Sequence, residues 1–216
     1  MAITSVGTLL GTNNKTAGTS FVITAETGDL TTGRIAFLAI SKDNAGTTDA
    51  NSDEVLSVTD AANNVWIKCR EFRNGQGTAD TGVALSIWKT KATANLANGG
   101  NITITLSDSR TAKAVVGWVF EVASGNQLEM ETVSDLADDG IDAGSMTLSG
   151  LDNIEHLFLR FCGCEGNFTT YTASTNYTTF EHTGANTTGA GGPTNQTARG
   201  EFRITTATTD TTDPTT

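Results

Sequence analysis

His156 and His182 are the only histidines in the chain, so they bound its acid–base and nucleophilic chemistry. A serine or cysteine nucleophile needs such a base within hydrogen-bond reach. No Gly-x-Ser-x-Gly elbow supplies the nucleophile, both histidines read as incidental strand or surface residues, and no catalytic residue is assigned. The sharpest metal idea is zinc. His156, Cys162 and Cys164 share parity on one extended segment, with His182 or Cys69 as further ligands. At the usual strand rise, residues 156 and 162 lie about 20 Å apart, too far to share an ion. The cysteines therefore read as small packed thiols. Calcium would draw on Asp49, Asn51, Asp53 and Glu54 in one loop, and on Asp135, Asp138, Asp139 and Asp142 in another. Glu54 stands where an EF-hand loop counted from Asp49 requires glycine, so both clusters read as solvated acidic loops. Sugar binding would use Trp66, Trp88, Trp118, Tyr171 or Tyr177. Trp118 falls in an apolar run and the other two tryptophans in alternating segments, which makes all three core residues. Exposure of Trp66 or Trp88 would point instead to a glycan. The stretches GTADTG and TGAGG lack the strand–loop–helix setting and the lysine of a phosphate cradle. Sequons such as Asn167–Thr169 and Asn176–Thr178 carry meaning only in an exported chain. No metal site and no cofactor is expected.

The elements that would position these residues are strands. About 40 residues are Thr and 23 are Gly. Thr is β-branched and suits a pleated surface, while Gly and Asn tolerate positive φ and supply turns. Pro occurs only at Pro193 and Pro214, so no ladder is interrupted. Strands are expected at Ser20–Glu26, Arg34–Ser41, Glu54–Thr59, Val65–Phe72, Gly82–Lys91, Asn101–Leu106, Thr111–Val122, Leu128–Ser134, Ser145–Leu148, His156–Glu165, Tyr177–His182 and Ala198–Thr206. Arg34–Ser41 (RIAFLAIS) and Thr111–Val122 are nearly continuous in apolar residues, the mark of strands buried on both faces. Asn101–Leu106 alternates cleanly, Ile102, Ile104 and Leu106 against Thr103 and Thr105. Ala61–Asn64 reads as a hairpin-type turn. About a dozen short strands with turn signals between them give an all-β, jelly-roll-like antiparallel sandwich. A weak internal repeat runs through it: RIAFLAIS, SVTDAANNVWIKCREF and GVALSIWKTKAT in the first half match HLFLRFCGC, FTTYTASTNYTTFEH and ARGEFRITTAT in the second. Lys42–Asp53 and Thr183–Thr197 read as long polar loops. The organisation expected is an N-terminal arm or first strand over 1–19, one sandwich domain over 20–206, and a flexible tail over 207–216.

A chain of 216 residues with net charge −11 is too acidic for a nucleic-acid footprint. No apolar run spans a bilayer. With 37% hydrophobic and 17% charged residues, its polarity comes from Thr, Ser and Asn rather than charge, so it is not disordered. The start MAITSVGTLLG lacks a basic region followed by a long apolar stretch, so no export signal is expected, and the three cysteines are expected to stay reduced.

Val58–Asn64 (VTDAANN), Asn98–Ser107 and Val119–Ser124 resemble a β-sandwich module of phage virion proteins and of some large bacterial surface proteins. The likeness covers most of residues 20–206 and rests on turns and alternation. It implies a structural or binding role rather than an enzyme, and the missing export signal favours the virion side. The expectation is a non-enzymatic capsid decoration or cement protein of a tailed bacteriophage. It would be assembled in the host cytoplasm, sit on the capsid exterior, and touch the phage major capsid protein. It would act as a homo-oligomer, a trimer fitting local three-fold axes, with Met1–Thr19 and Thr206–Thr216 as arms on neighbouring subunits. It would bind neither nucleic acid nor membrane. The alternative is a tail, fibre or adhesin-type module that binds a host-surface glycan.

Overall fold

The apolar run after Arg34 becomes β3 (Ile35–Asp43), and every residue of it is buried. Its side chains alternate between two cores. Ala36, Leu38 and Ile40 enter one, and Ile35, Phe37 and Ala39 enter the other. A strand buried on both faces needs a layer on each side, and the chain supplies both. The structure is a computed structural model describing residues 3–77, 82–123, 144–166, 170–180 and 195–215. Among these, fourteen strands form and no helix does.

The middle layer is a six-stranded antiparallel sheet in the order β1-β9-β3-β7-β6-β4. Its strands are β1 (Ile3–Asn14), β9 (Lys113–Val122), β3, β7 (Val83–Lys91), β6 (Trp66–Asn74) and β4 (Ala50–Asn51). One face packs on a three-stranded sheet, β2 (Gly18–Thr24), β8 (Asn101–Arg110) and β5 (Val55–Asp60), in the order β2-β8-β5. Phe21, Ile23, Ile102, Ile104 and Val55 fill that core with Leu38, Trp66 and Trp88. The other face packs on β11 (His156–Glu165), β13 (Gln196–Thr205) and β12 (Thr178–Thr179), in the order β11-β13-β12. Leu157, Leu159, Phe161, Phe180 and Phe202 meet Phe37, Val116 and Phe120 there. A two-stranded ribbon, β10 (Met146–Ser149) with β14 (Thr209–Thr212), completes the topology. All pairings are antiparallel.

The expected strands from Ser20–Glu26 to Ala198–Thr206 appear with shifts of a few residues. Leu128–Ser134 lies outside the described residues, as do Glu181 and His182 at the end of Tyr177–His182. The internal repeat has a geometric counterpart: the order β3-β7-β6 in the middle sheet matches β11-β13-β12. Each copy also turns on an asparagine with positive φ, Asn63 at 59° and Asn176 at 68°.

Four expectations are corrected. Of the two readings of segment 1–19, the first strand holds over residues 3–14 and the free arm does not, because β1 pairs with β9 at the edge of the chain's own middle sheet and buries Leu9 and Leu10 completely. Register shifts at Ser5/Gly7 and Thr8/Leu10 break its period-two pattern and hide it in the sequence. The tail 207–216 supplies β14, which pairs with β10. Lys42 and Asp43 extend β3 and are buried rather than opening a polar loop. Finally, Ala61–Asn64 is no hairpin, since β5 and β6 belong to different sheets and the turn carries the chain across a core.

Gly200 shows how tightly the second core is packed. A Cβ there would stand 2.5 Å from Phe180 and 2.9 Å from Phe161. Phe180 cannot yield, being 1% exposed and stacked on Trp118 at 5.0 Å between centroids. Gly200→Ala is expected to cost about 2 kcal/mol by overpacking, read as a lower urea midpoint. Phe180→Leu in the same chain should recover part of that loss, which a backbone-only effect at residue 200 would not allow.

Candidate functional site

Apart from a group at the β5–β6 corner around Asp60 and Asn64, most buried polar residues gather in two places. The first is the end of the sandwich where β3, β6, β8 and β11 finish and β7, β9 and β13 begin. Lys42 and Lys113 stand opposite each other in the β3–β9 register, each with 0% exposure. Lys42 Nζ pairs with Glu54, whose Oε2 also accepts the Ala45 N–H at 3.1 Å. The Arg73 guanidinium lies 3.6 Å from Glu54 Oε1. Glu71 accepts the Glu54 N–H at 2.5 Å, the Ser52 hydroxyl at 3.0 Å and the Lys68 ammonium at 2.9 Å. Lys113 Nζ donates to the carbonyls of Thr16 (2.7 Å) and Arg110 (2.6 Å) and lies over the Phe21 ring. Burial pulls both lysines below their ordinary pKa, opposed at Lys42 mainly by the Glu54 carboxylate and at Lys113 by Asp43.

The same end ties the middle layer to the third. Gln196, fully buried, donates to Asp43 Oδ1 at 3.0 Å and accepts from the Ser41 hydroxyl at 3.1 Å. Asp43 Oδ2 accepts the Ala112 N–H at 3.2 Å. Lys15 Nζ reaches Asn195 Oδ1 at 2.5 Å, and Glu165 Oε2 accepts the Gly82 N–H at 2.5 Å. Burial raises the Glu165 pKa, the Asp43 charge adding to it. Each contact satisfies a polar group that would otherwise be costly to bury. Their effect is to fix the layers against one another.

The second place is the outer face of β11–β13, where Arg160 stands opposite Glu201 and Cys162 opposite Arg199. Arg160 Nη1 donates to Thr212 O (3.1 Å) and Oγ1 (2.9 Å), and Nη2 to Gly144 O (2.7 Å). Glu201 accepts the Ser174 N–H at 2.8 Å and hydroxyl at 2.7 Å. Cys162 Sγ lies 3.9 Å from the Tyr171 hydroxyl. Burial pushes the thiols of Cys162 and Cys164 up, Cys164 to about 12 from 9.0, and raises both tyrosines.

These thiols make a pH prediction. A folded thiol that holds its proton, while the unfolded chain releases it above pH 9, makes stability fall as pH rises from 9 toward about 12. The slope is about −1.4 kcal/mol per pH unit for each such thiol. Urea midpoints measured from neutral pH into this window should show the decline, and Cys164→Ala should remove one thiol's share of it. An unchanged slope in that variant would contradict the assignment.

The candidate ligands do not converge. His156 Nε2 bonds the Asp152 carbonyl at 2.7 Å, Cys69 sits on β6 in another sheet, and His182 lies outside the described residues. In the first acidic loop, Asp49 accepts the Gly75 N–H, Asp53 pairs with Lys68, Glu54 pairs with Lys42, and Asn51 lies in β4. Asp135, Asp138, Asp139 and Asp142 lie outside the described residues. Among the described residues no group of three or more His, Cys, Asp or Glu side chains could hold a metal ion. Trp66 (7% exposed) and Trp88 (5%) are core residues. Their indole N–H groups are committed to Asp60 (2.9 Å) and the Ser86 hydroxyl (2.8 Å), so neither offers a sugar platform. Trp118 stacks on Phe180, and its N–H donates to the Ser5 hydroxyl. Tyr177 is buried, and Asn176 of the second sequon sits in the turn before it.

Sequence reasoning missed the buried lysines, Glu71, Gln196 and the Arg160 cluster. The available signal was a charged residue at the end of a nearly continuous apolar run: Lys42 after AFLAIS, and Lys113 before AVVGW. No family model, curated protein or solved structure matches the chain.

Proposed function

We propose that the chain is a non-enzymatic structural protein of a phage virion, a decoration or cement protein that holds capsid subunits through many repeated contacts. The observation that carries this reading is the outer face of the β2-β8-β5 sheet. Phe21, Ile23, Ile102, Ile104 and Val58 point inward, which turns Ser20, Val22, Thr24, Thr103, Thr105, Ser57 and Thr59 outward in register. Leu56 bulges out beside them. Val22 is 54% exposed and Leu56 52%. In a chain of net charge −11, this uncharged β-branched grid on a rigid sheet suits broad contact with another protein surface. Each contact is modest, and symmetry multiplies it through avidity.

The resemblance at Val58–Asn64, Asn98–Ser107 and Val119–Ser124 supports the virion setting, the major capsid protein as partner, and jelly-roll connectivity. The first of these motifs is a corner between two sheets, so what it carries is architecture. The glycan-binding alternative loses its support with the burial of Trp66 and Trp88.

The test is quantitative mass spectrometry of purified virions, set against the major capsid protein. A copy number on the scale of the capsid subunits is expected, and Val22→Glu with Leu56→Glu should strip the protein from particles while it stays folded. A handful of copies would move it to the tail. Absence from particles would overturn the virion reading.

A further inference from the structure

The Lys42–Glu54 pair leaves its own polar groups poorly satisfied. Lys42 is the last residue but one of β3, 0% exposed, and its Nζ lies against Glu54 Oε2. An ammonium carries three protons. Among the described residues two acceptors face it, the Glu54 carboxylate and the Asp43 carbonyl at 3.4 Å. The carboxylate is short of partners as well. Glu54 is 5% exposed and its Oε1 accepts no hydrogen bond, the Arg73 guanidinium standing off at 3.6 Å. A buried carboxylate oxygen without a donor is among the costlier features a fold can carry. Arg73 is fixed in that position. Its Nε donates to the Thr48 carbonyl at 3.0 Å, and Gly46 leaves the space it fills, since a Cβ there would overlap the guanidinium carbon.

We infer that Lys42 and Glu54 become joined by an amide bond between Nζ and Cδ, made by the folded chain itself. The condensation balances within the pair. Nζ gives two of its three protons to Oε2, the oxygen it touches, and its lone pair forms the bond to Cδ. The Cδ–Oε2 bond breaks with its electron pair, and Oε2 departs as water. Oε1 stays as the amide carbonyl. In the tetrahedral intermediate the negative charge falls on Oε1, which the Arg73 guanidinium faces. The burial that lowers the Lys42 pKa favours the free amine that attacks, and holding that amine against the carboxyl group replaces a bimolecular encounter. The product suits its surroundings better than the ion pair does. Its single N–H has the Asp43 carbonyl as acceptor, one carbonyl oxygen stands in place of two carboxylate oxygens, and the desolvation cost of both charges is gone. The bond ties the end of β3 in the middle sheet to the residue before β5 in the next layer. It closes residues 42–54 into a loop that persists when the chain unfolds, and so constrains the unfolded state as a disulfide would, in a chain whose three cysteines are all free. Variants that lack either side chain lack the bond, so their stabilities relative to one another report the unlinked site. The inference goes beyond the capsid reading and does not depend on it.

Tryptic mapping of the whole folded chain, denatured just before digestion, provides the test. An unlinked chain is cut after Lys42 and gives the peptides 35–42 and 43–68. The linked chain is expected to give the single peptide 35–68, lighter than its sequence by one water, because an acylated lysine is no longer a tryptic site. Fragmentation within 43–53 should release no pieces, which places the lost water between residues 42 and 54 rather than at a dehydrated aspartate. Lys42→Met should show no water loss. Arg73→Gln, followed from synthesis in chains that remain folded, should form the bond at least about tenfold more slowly. Cleavage after Lys42 with both peptides at full mass overturns the bond, and so does a water loss that persists in Lys42→Met. An unchanged rate in Arg73→Gln overturns the chemistry assigned to the guanidinium. None of these results bears on virion copy number, so the two proposals fail separately.

Discussion

Glu54→Ala is expected to destabilise the fold by about 3–5 kcal/mol, because it leaves a fully buried ammonium without its counter-charge. Lys42 is 0% exposed, and apart from Glu54 its Nζ has the Asp43 carbonyl at 3.4 Å and the more distant field of Glu71. Desolvation already draws the Lys42 pKa down, and the Glu54 carboxylate is the main influence holding it up. Without that carboxylate the amine must lose its proton or admit water into the end of the core. Lys42→Met should cost less than Glu54→Ala, because Glu54 keeps the Arg73 guanidinium and the Ala45 N–H. The double variant Lys42→Met with Glu54→Gln should lie closer to the parent than Glu54→Ala does, since a buried pair can often be replaced by neutral groups at little net cost. Urea denaturation of the parent and the three variants ranks these costs. If Glu54→Ala costs under about 1 kcal/mol, the pair behaves as a solvent-screened one and the burial argument fails.

The legible part of the fold was the part whose pattern is local. RIAFLAIS announces β3 because burial on both faces makes residues 35–40 continuously apolar, and NITITL announces β8 because one face alone is buried. The match between β3-β7-β6 and β11-β13-β12 was visible as a repeat of strand types, although it gave no hint that the two would lie on different layers. β1 was legible only as an arm or first strand, because its bulges reset the alternation twice. β14 escaped because what seats it is Arg160, 52 residues upstream of Thr212, and Arg203 on the preceding strand, and no pattern in its own threonines announces either. The polar tie between layers was illegible for the same reason: Gln196 and Asp43 are 153 residues apart, and nothing local at either predicts the other. The tryptophans went the other way. Their burial followed from alternation alone, and that burial removes the sugar platform the alternative reading required.

Asp60→Ala is expected to cost about 3–4 kcal/mol, since several buried donors lose one shared acceptor at once. Asp60 is 7% exposed. Its Oδ1 accepts the N–H groups of Ala62 (2.9 Å) and Asn64 (3.0 Å), and its Oδ2 accepts Asn64 Nδ2 (3.1 Å) and the Trp66 indole (2.9 Å). Asn64 then passes the restraint on, its Oδ1 accepting the N–H groups of Thr93 (2.8 Å) and Ala94 (3.0 Å). One carboxylate thus fixes the corner where the chain leaves the β2-β8-β5 sheet for the middle sheet, and through Asn64 it also fixes the segment that follows β7. This gives the VTDAANN motif a physical reason. The aspartate accepts four bonds at the corner, and Asn63 supplies the positive φ that closes the turn. Asp60→Asn should recover only part of the loss, because an amide turns one acceptor into a donor facing other donors. Hydrogen exchange separates this chain of restraint from a general loss of stability. In Asp60→Ala, the Trp66 indole and the amides of Thr93 and Ala94 should exchange faster than the amides of β9, which lie in the same core. In Asn64→Ala, the Thr93 and Ala94 amides should speed up while the Trp66 indole stays protected by Asp60. Uniform acceleration across the sheet in both variants would show that the corner has no local role and that Asp60 contributes only to global stability.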